Sequence, residues 1–253
     1  RVMGMDTGIL LVDLGNSSLK WGWLSDAGLV DVDTLSHREL PLREQLQRCW
    51  SALARPGRVI IAAVARSQVK DELSKWVISS WDIQPVFLQT AKDAAGVHCA
   101  YDDFSHLGID RWAAIVAAYN LNRQAVCIVD CGTAVTIDAV GREGKHLGGF
   151  ILPGLEMMRE SLIKNTDIAT FQQQEIQGFW GTDTGPAIES GIHKAIAGLV
   201  KQATHELSMV DDGKPRLVCT GGDALRIMES MDNDGEYRPD LVLEGIAILS
   251  GGV

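Results

Sequence analysis

Several things are missing from this chain of 253 residues. Its longest apolar runs, at residues 59–65 and 241–249, fall well short of the roughly 20 residues a helical membrane span needs, so no membrane partner is expected. Basic residues are scarce: 23 Lys and Arg stand against 33 Asp and Glu, a formal net charge of −10. Such a balance repels phosphate backbones. There is no helix-turn-helix signature either, so nucleic acid is not an expected partner. After Arg1-Val2-Met3-Gly4-Met5 no apolar stretch leads to a small-residue cleavage site, which makes the cytoplasm the expected location. The five cysteines, Cys49, Cys99, Cys127, Cys131 and Cys219, lack C-x-x-C spacing and read as reduced, mostly buried thiols. The histidines offer no H-E-x-x-H pair, which argues against catalytic zinc. Neither G-x-x-x-x-G-K-[ST] nor G-x-G-x-x-G occurs, so the P-loop and Rossmann routes to nucleotide binding are disfavoured.

What is present is a hydrophobic content of 46%, enough to bury the cores of two ordinary domains or one large one. Ile9-Leu10-Leu11-Val12 reads as a strand running into a polar turn at Asp13-Leu14-Gly15-Asn16. Alternation then resumes through Leu19, Trp21 and Trp23, as in a hairpin. Residues 59–64 read as a buried strand, 69–80 as an amphipathic helix and 85–88 as another strand, an alternation that favours an α/β sheet. A helix pattern over 110–122 precedes the strand Val126-Cys127-Ile128-Val129. Nearly half the chain beyond the first turn, Asp130-Cys131-Gly132-Thr133-Ala134 then repeats its plan, as two copies of one domain would. Further on come a helix starting near Leu155, a long helix over 185–207 with its apolar face directed to the core, a strand over 216–219 leading into Thr220-Gly221-Gly222, and a helix over 223–231. Loops are expected at 211–214 and 232–239.

Three glycine-containing turns thus follow buried strands, at residues 13–16, 130–133 and 220–222. Glycine lets backbone approach a ligand closely, and amides with small hydroxyls suit phosphate oxygens. A carboxylate at the strand end does not bind phosphate directly, but it suits a hydrated Mg²⁺ or a monovalent cation bridging to phosphate. Each turn alone also fits an ordinary strand end.

Two D-x-G turns in duplicated halves resemble the actin, heat-shock chaperone and sugar-kinase superfamily. That resemblance implies an α/β fold of two related ribonuclease H-like (actin-like ATPase) domains with nucleotide in a central cleft, here residues 8–110 and 111–253. Within it the motifs resemble type III pantothenate kinase in family order. Asp13-Leu14-Gly15-Asn16-Ser17-Ser18-Leu19-Lys20 resembles D-x-G-N-[TS], Gly108-Ile109-Asp110-Arg111 resembles G-x-D-R, and Asp130-Cys131-Gly132-Thr133-Ala134 resembles D-x-G-T-A. Gly148-Gly149 through Pro153-Gly154 resembles G-G-x-I-x-P-G, and Thr184 with Ala187-Ile188 and Gly191 resembles T-x-x-A-I-x-x-G. Ser17 stands where Thr is more usual, and Phe104 where many members have Pro.

The resemblance implies an enzyme, a phosphotransferase with an alcohol acceptor, which uses ATP to phosphorylate pantothenate in the first step of coenzyme A biosynthesis. It implies that Asp110 is the general base, although that residue also fits a helix N-cap. Arg111 suits the substrate carboxylate, with a surface ion pair as the alternative. Tyr101, Gly108, Ile109, Asp110, Arg111 and Thr184 are placed around pantothenate. Asp13, Leu14, Gly15, Asn16, Ser17, Ser18, Leu19, Lys20 and Thr133 are placed around ATP, Lys20 alternatively being a solvated strand residue. Asp130 is implied as the ligand of a monovalent cation, K⁺ or NH₄⁺, while Mg²⁺ accompanies ATP with Asp13 as its one candidate ligand. A homodimer is also implied, the long helix being a candidate interface. The competing readings are a related small-molecule kinase for sugar or acetate, and a non-catalytic nucleotide-binding regulatory protein of the same fold.

Overall fold

The structure, a computed structural model, describes residues 8–38, 40–168, 178–211, 213–231 and 234–251. The opening pentapeptide and residues 212, 232 and 233 of the expected loops lie outside them. The chain divides into two compact units, Arg1–Leu121 together with Asp240–Val253, and Asn122–Pro239.

In the first unit β1 (Ile9–Leu14), β2 (Ser18–Ser25) and β3 (Gly28–Ser36) form an antiparallel meander. After α1 (Leu42–Cys49), β4 (Arg58–Ala63) pairs in parallel with β1, and α2 (Ser67–Trp81) returns the chain to β5 (Val86–Phe87), parallel to β4. The strand order is therefore β3-β2-β1-β4-β5. Central strands covered on both faces read as near-continuous apolar runs, which is why β1 and β4 were legible and the half-exposed β3 was not. A small hairpin, β6 (Asp93–Ala94) and β7 (Val97–His98), turns through Ala95 and Gly96 at φ 47° and 84°, the left-handed pair a two-residue hairpin loop needs. A single 3-10 turn at Phe104–His106 then leads into α3 (Ile109–Asn122), which is buried on nearly every side, as an all-round apolar helix must be.

The second unit repeats the plan. β8 (Val126–Cys131), β9 (Ala134–Val140) and β10 (His146–Pro153) form the meander. α4 (Leu155–Asn165) and α5 (Thr184–Val210) intervene before β11 (Arg216–Thr220), which is parallel to β8. α6 (Ala224–Glu229) precedes β12 (Glu236–Tyr237), giving the order β10-β9-β8-β11-β12. The expected helix over 185–207 is α5, while Gly148-Gly149 through Pro153, expected only as a segment ahead of a helix, lies within β10.

α7 (Leu241–Leu249) closes the first unit by packing on β1, β2 and β4. Gly245 lets it cross α3 closely, because a Cβ there would lie 2.0 Å from the Ala113 carbonyl oxygen. The expected boundary at 110/111 would cut α3 in its first turn and assign α7 to the other half. The compact units differ on both points because α3 is one continuous helix and α7 covers the first sheet.

The two cores differ in kind. Beneath the first sheet Trp21, Trp50, Trp76 and Trp81 cluster, with Trp50 and Trp81 stacked at 5.4 Å and Trp76 edge-on to Trp81 at 4.9 Å. Beneath the second lie aliphatic residues, Met228, Met231 and the thiols of Cys127, Cys131 and Cys219. Burial pushes those thiols up, Cys127 to about 11 and Cys219 to about 12, so they stay protonated at neutral pH.

Candidate active site

In the first unit the turn after β1 is closed by Gly15 N–H donating to the Ser18 carbonyl at 2.9 Å. His37, just past β3, grips it twice. Its backbone N–H donates to the Ser17 carbonyl at 3.0 Å, and its ring Nε2 lies 3.1 Å from the Gly15 carbonyl. A carbonyl only accepts, so that nitrogen carries the proton. Asp13 faces Lys20 across the β1–β2 register, and Lys20 Nζ donates to Asp240 at 3.0 Å with both side chains about 30% exposed. Lys20 is thus ion-paired rather than simply solvated.

Further along the same unit, Asp110 is the second residue of α3, and its Oδ1 accepts the Arg111 N–H at 2.7 Å. The Trp112 N–H returns to the Gly108 carbonyl. Asp110 therefore sits inside the first turn instead of at the N-cap, where the helix dipole favours its negative charge. Gly108 makes room for it, since a Cβ there would lie 2.6 Å from Asp110 Oδ1. Arg111 is only 7% exposed, so a surface ion pair does not describe it. It donates to the Tyr101 hydroxyl at 3.2 Å and lies 6.0 Å from that ring's centroid. Tyr101, Gly108, Ile109, Asp110 and Arg111 thus form one neighbourhood around the start of α3.

In the second unit the turns at 130–133 and 220–222 meet. Gly221, at φ 92°, lies so close to the other turn that a Cβ would be 2.5 Å from the Cys131 carbonyl oxygen and 2.6 Å from Asp130 Oδ1. Asp223 N–H donates to the Cys131 carbonyl. Gly154, ahead of α4, donates its N–H to the Thr133 carbonyl at 2.9 Å, and a Cβ there would be 2.4 Å from the Gly132 carbonyl oxygen. Three backbone turns thus converge on Asp130 and Thr133, a density of amides and carbonyls suited to phosphate and a bound cation. Asp130 with these carbonyls is an all-oxygen set, which fits a hard cation. Among the described residues no group of three or more His, Cys, Asp or Glu is placed to hold a metal.

Thr184 opens α5, its N–H donated to the Asp183 side chain at 2.7 Å. Beside it α4 and α5 frame an open groove of about 730 Å³ lined by Pro153, Met158, Leu162, Thr184, Ile188 and Ala195, among others. Ile151 and Met157 are exposed in the same unit. Sequence reasoning missed His37 and a buried network in which Glu189, 1% exposed, takes both Arg159 Nε and Nη2. His37 lies in no motif and Glu189 falls at an unspecified position of the T-x-x-A-I-x-x-G segment, and both depend on partners distant in sequence.

Two sheets of identical strand order, each opening on a strand, a D-x-G turn and a hairpin, define an α/β protein of the actin-like ATPase fold. MreB 5 of Spiroplasma citri bound to AMPPNP shares that fold, with a TM-score of 0.53 at 11% identity over 98% of this chain and 97% of that one. A conserved Baf family protein of Campylobacter jejuni, described as a transcriptional activator, superposes with a TM-score of 0.62 at 23% identity over 96% of this chain and 100% of the other. The family model for type III pantothenate kinase matches residues 9–206. Type III pantothenate kinases of Nitrosococcus oceani and Alkalilimnicola ehrlichii are 35% and 33% identical to this chain, covering 94% and 95% of it and 92% and 97% of their own lengths. The chain belongs to the type III pantothenate kinase family.

Proposed function

We propose that this chain transfers the γ-phosphoryl group of ATP to the primary hydroxyl of pantothenate, giving 4'-phosphopantothenate and ADP in the first step of coenzyme A biosynthesis. The observation that carries this reading is the buried Arg111, held by Tyr101 beside Asp110 in the first turn of α3. A fixed guanidinium suits the pantothenate carboxylate, and a carboxylate one residue away suits the proton of the attacking hydroxyl. As the hydroxyl oxygen bonds to the γ-phosphorus, its proton passes to Asp110 and the bond to the β,γ-bridging oxygen breaks. The turn at residues 13–20 and Thr133 take the nucleotide phosphates. Thr184 contacts the acceptor. Such transfer depends chiefly on positioning and charge stabilisation. Asp130 with its neighbouring carbonyls would hold K⁺ or NH₄⁺, and Mg²⁺ would bind mainly through phosphate and water near Asp13, both neutralising phosphate charge.

The apolar groove along α4 and α5 is the surface that favours a homodimer, which sedimentation velocity would test. Among the described residues no helix is long and apolar enough to cross a membrane, and we place the enzyme in the cytoplasm. The test of function is ADP release with ATP, Mg²⁺ and K⁺, comparing pantothenate with glucose and acetate. Pantothenate-dependent turnover is expected, with Asp110→Asn lowering kcat about 10²- to 10⁴-fold. Turnover with another acceptor would point to a related kinase, and none with any acceptor to a regulatory protein of this fold.

A further inference from the structure

One three-residue stretch of the first unit lies in no motif and holds both ends of the loop that carries Tyr101. Thr90, buried, donates from Oγ1 to the Leu107 carbonyl at 2.7 Å. Two residues on, Lys92 donates from Nζ to the Tyr101 carbonyl at 3.0 Å, and its own carbonyl accepts the Cys99 N–H at 2.8 Å. The middle of the loop bonds to itself, Asp103 accepting both the N–H and the hydroxyl of Ser105. The ends are therefore where its position is fixed.

Those ends lead to different groups. The Tyr101 end meets Arg111 through the tyrosine hydroxyl. The Leu107 end runs directly into Gly108 and the first turn of α3, where Asp110 sits. Leu107 is itself buried at 1% exposure, so its carbonyl would be left short of a partner without the Thr90 hydroxyl.

We propose that Thr90 and Lys92 are positioning residues for the acceptor. Lys92 sets Tyr101 and through it Arg111, while Thr90 sets the entry to α3 and with it Asp110. The proposal rests on the acceptor site assigned above to Tyr101, Asp110 and Arg111. Misplacing a reacting group by about 1 Å is enough to lower a rate by about 10²-fold, so two hydrogen bonds outside the site can govern it.

The two contacts should separate kinetically. Lys92→Met keeps the apolar stem and removes the ammonium. It should raise KM for pantothenate about tenfold, with KM for ATP moving less than twofold, and Lys92→Arg should recover most of the loss. Thr90→Val keeps the volume and removes the hydroxyl. It should act mainly on kcat, with a fall of about tenfold, and Thr90→Ser should restore it. Thermal unfolding of each variant monitors folding, and the two conservative variants keep the test decisive if Thr90→Val folds poorly. Equal rises in KM for ATP and pantothenate or wild-type kinetics in Lys92→Met, or a wild-type kcat in Thr90→Val, would overturn the brace while leaving the acceptor assignment intact. Absence of pantothenate turnover in the wild type would instead overturn that assignment, and the brace with it.

Discussion

The main sheets of the two units carry five strands each in the same order and the same directions, yet what they place around the first turn is different. In the first unit Asp13 is paired in register with Lys20 on one side and Ala62 on the other. In the second, the corresponding Asp130 is paired with Thr136 and Thr220. The next residue after Thr220 is Gly221, pressed against Asp130, whereas the equivalent stretch after Ala62 is Ala63-Val64. One copy thus offers a cation, tied to Asp240, beside its turn, and the other offers a crowded backbone cradle. A duplicated frame can diverge in this way because the sheet fixes where the turns fall and leaves the residues on them free to specialise.

The cores diverged too, and here the largest effect is expected. Trp50 is fully buried among three other indoles, so Trp50→Ala should destabilise by about 3 to 5 kcal/mol. Ile196→Val in the second core should cost only about 1 kcal/mol. Six of the seven tryptophans lie in the first unit, so urea unfolding followed by fluorescence reads the first change directly. Similar small losses at both sites would mean the aromatic cluster packs no more critically than the aliphatic core.

The turns give the next contrast. Gly221→Ala forces a side chain into left-handed backbone against Asp130 and Cys131 and should cost about 2 kcal/mol, together with most of the activity. Gly15→Ala meets nothing closer than the Ser18 carbonyl oxygen at 3.4 Å and should change stability by less than about 0.5 kcal/mol. Equal tolerance at the two sites, measured by chemical denaturation, would show that the second cradle is looser than its geometry implies.

The smallest effect is on pH. Burial, with Arg226 nearby, lowers the His193 pKa below its ordinary value of 6.5. Below that value the unfolded chain binds a proton that the folded form resists, so the second unit should lose stability as pH falls from about 6.5 toward the folded value. His193→Gln should flatten that slope in Tm measured between pH 7 and 5. An unchanged slope would remove His193 as its source.

How much of this was readable beforehand follows from physical range. The buried strands, the D-x-G turns and the duplication were legible because each is a local pattern. The run at 241–249 was visible, but periodicity alone cannot tell a short buried helix from a strand, and nothing in it announces that it packs on β1. Lys20 was flagged as a cation, yet its partner Asp240 lies at the far end of the chain. His37, Thr90 and Lys92 escaped because the side chain of each meets a backbone carbonyl 9 to 22 residues away, which leaves no trace in spacing.

The return of α7 to the first sheet has a consequence for the order of assembly during synthesis. Chains emerge from the ribosome N-terminus first, and domains generally fold as units. The second unit is continuous in sequence and is complete once Pro239 has been released. The first, although translated earlier, has the part of β1, β2 and β4 on which the helix of residues 241–249 packs uncovered until that helix arrives. The half made first is therefore the half finished last, and until then its exposed strands are the nascent chain's point of vulnerability.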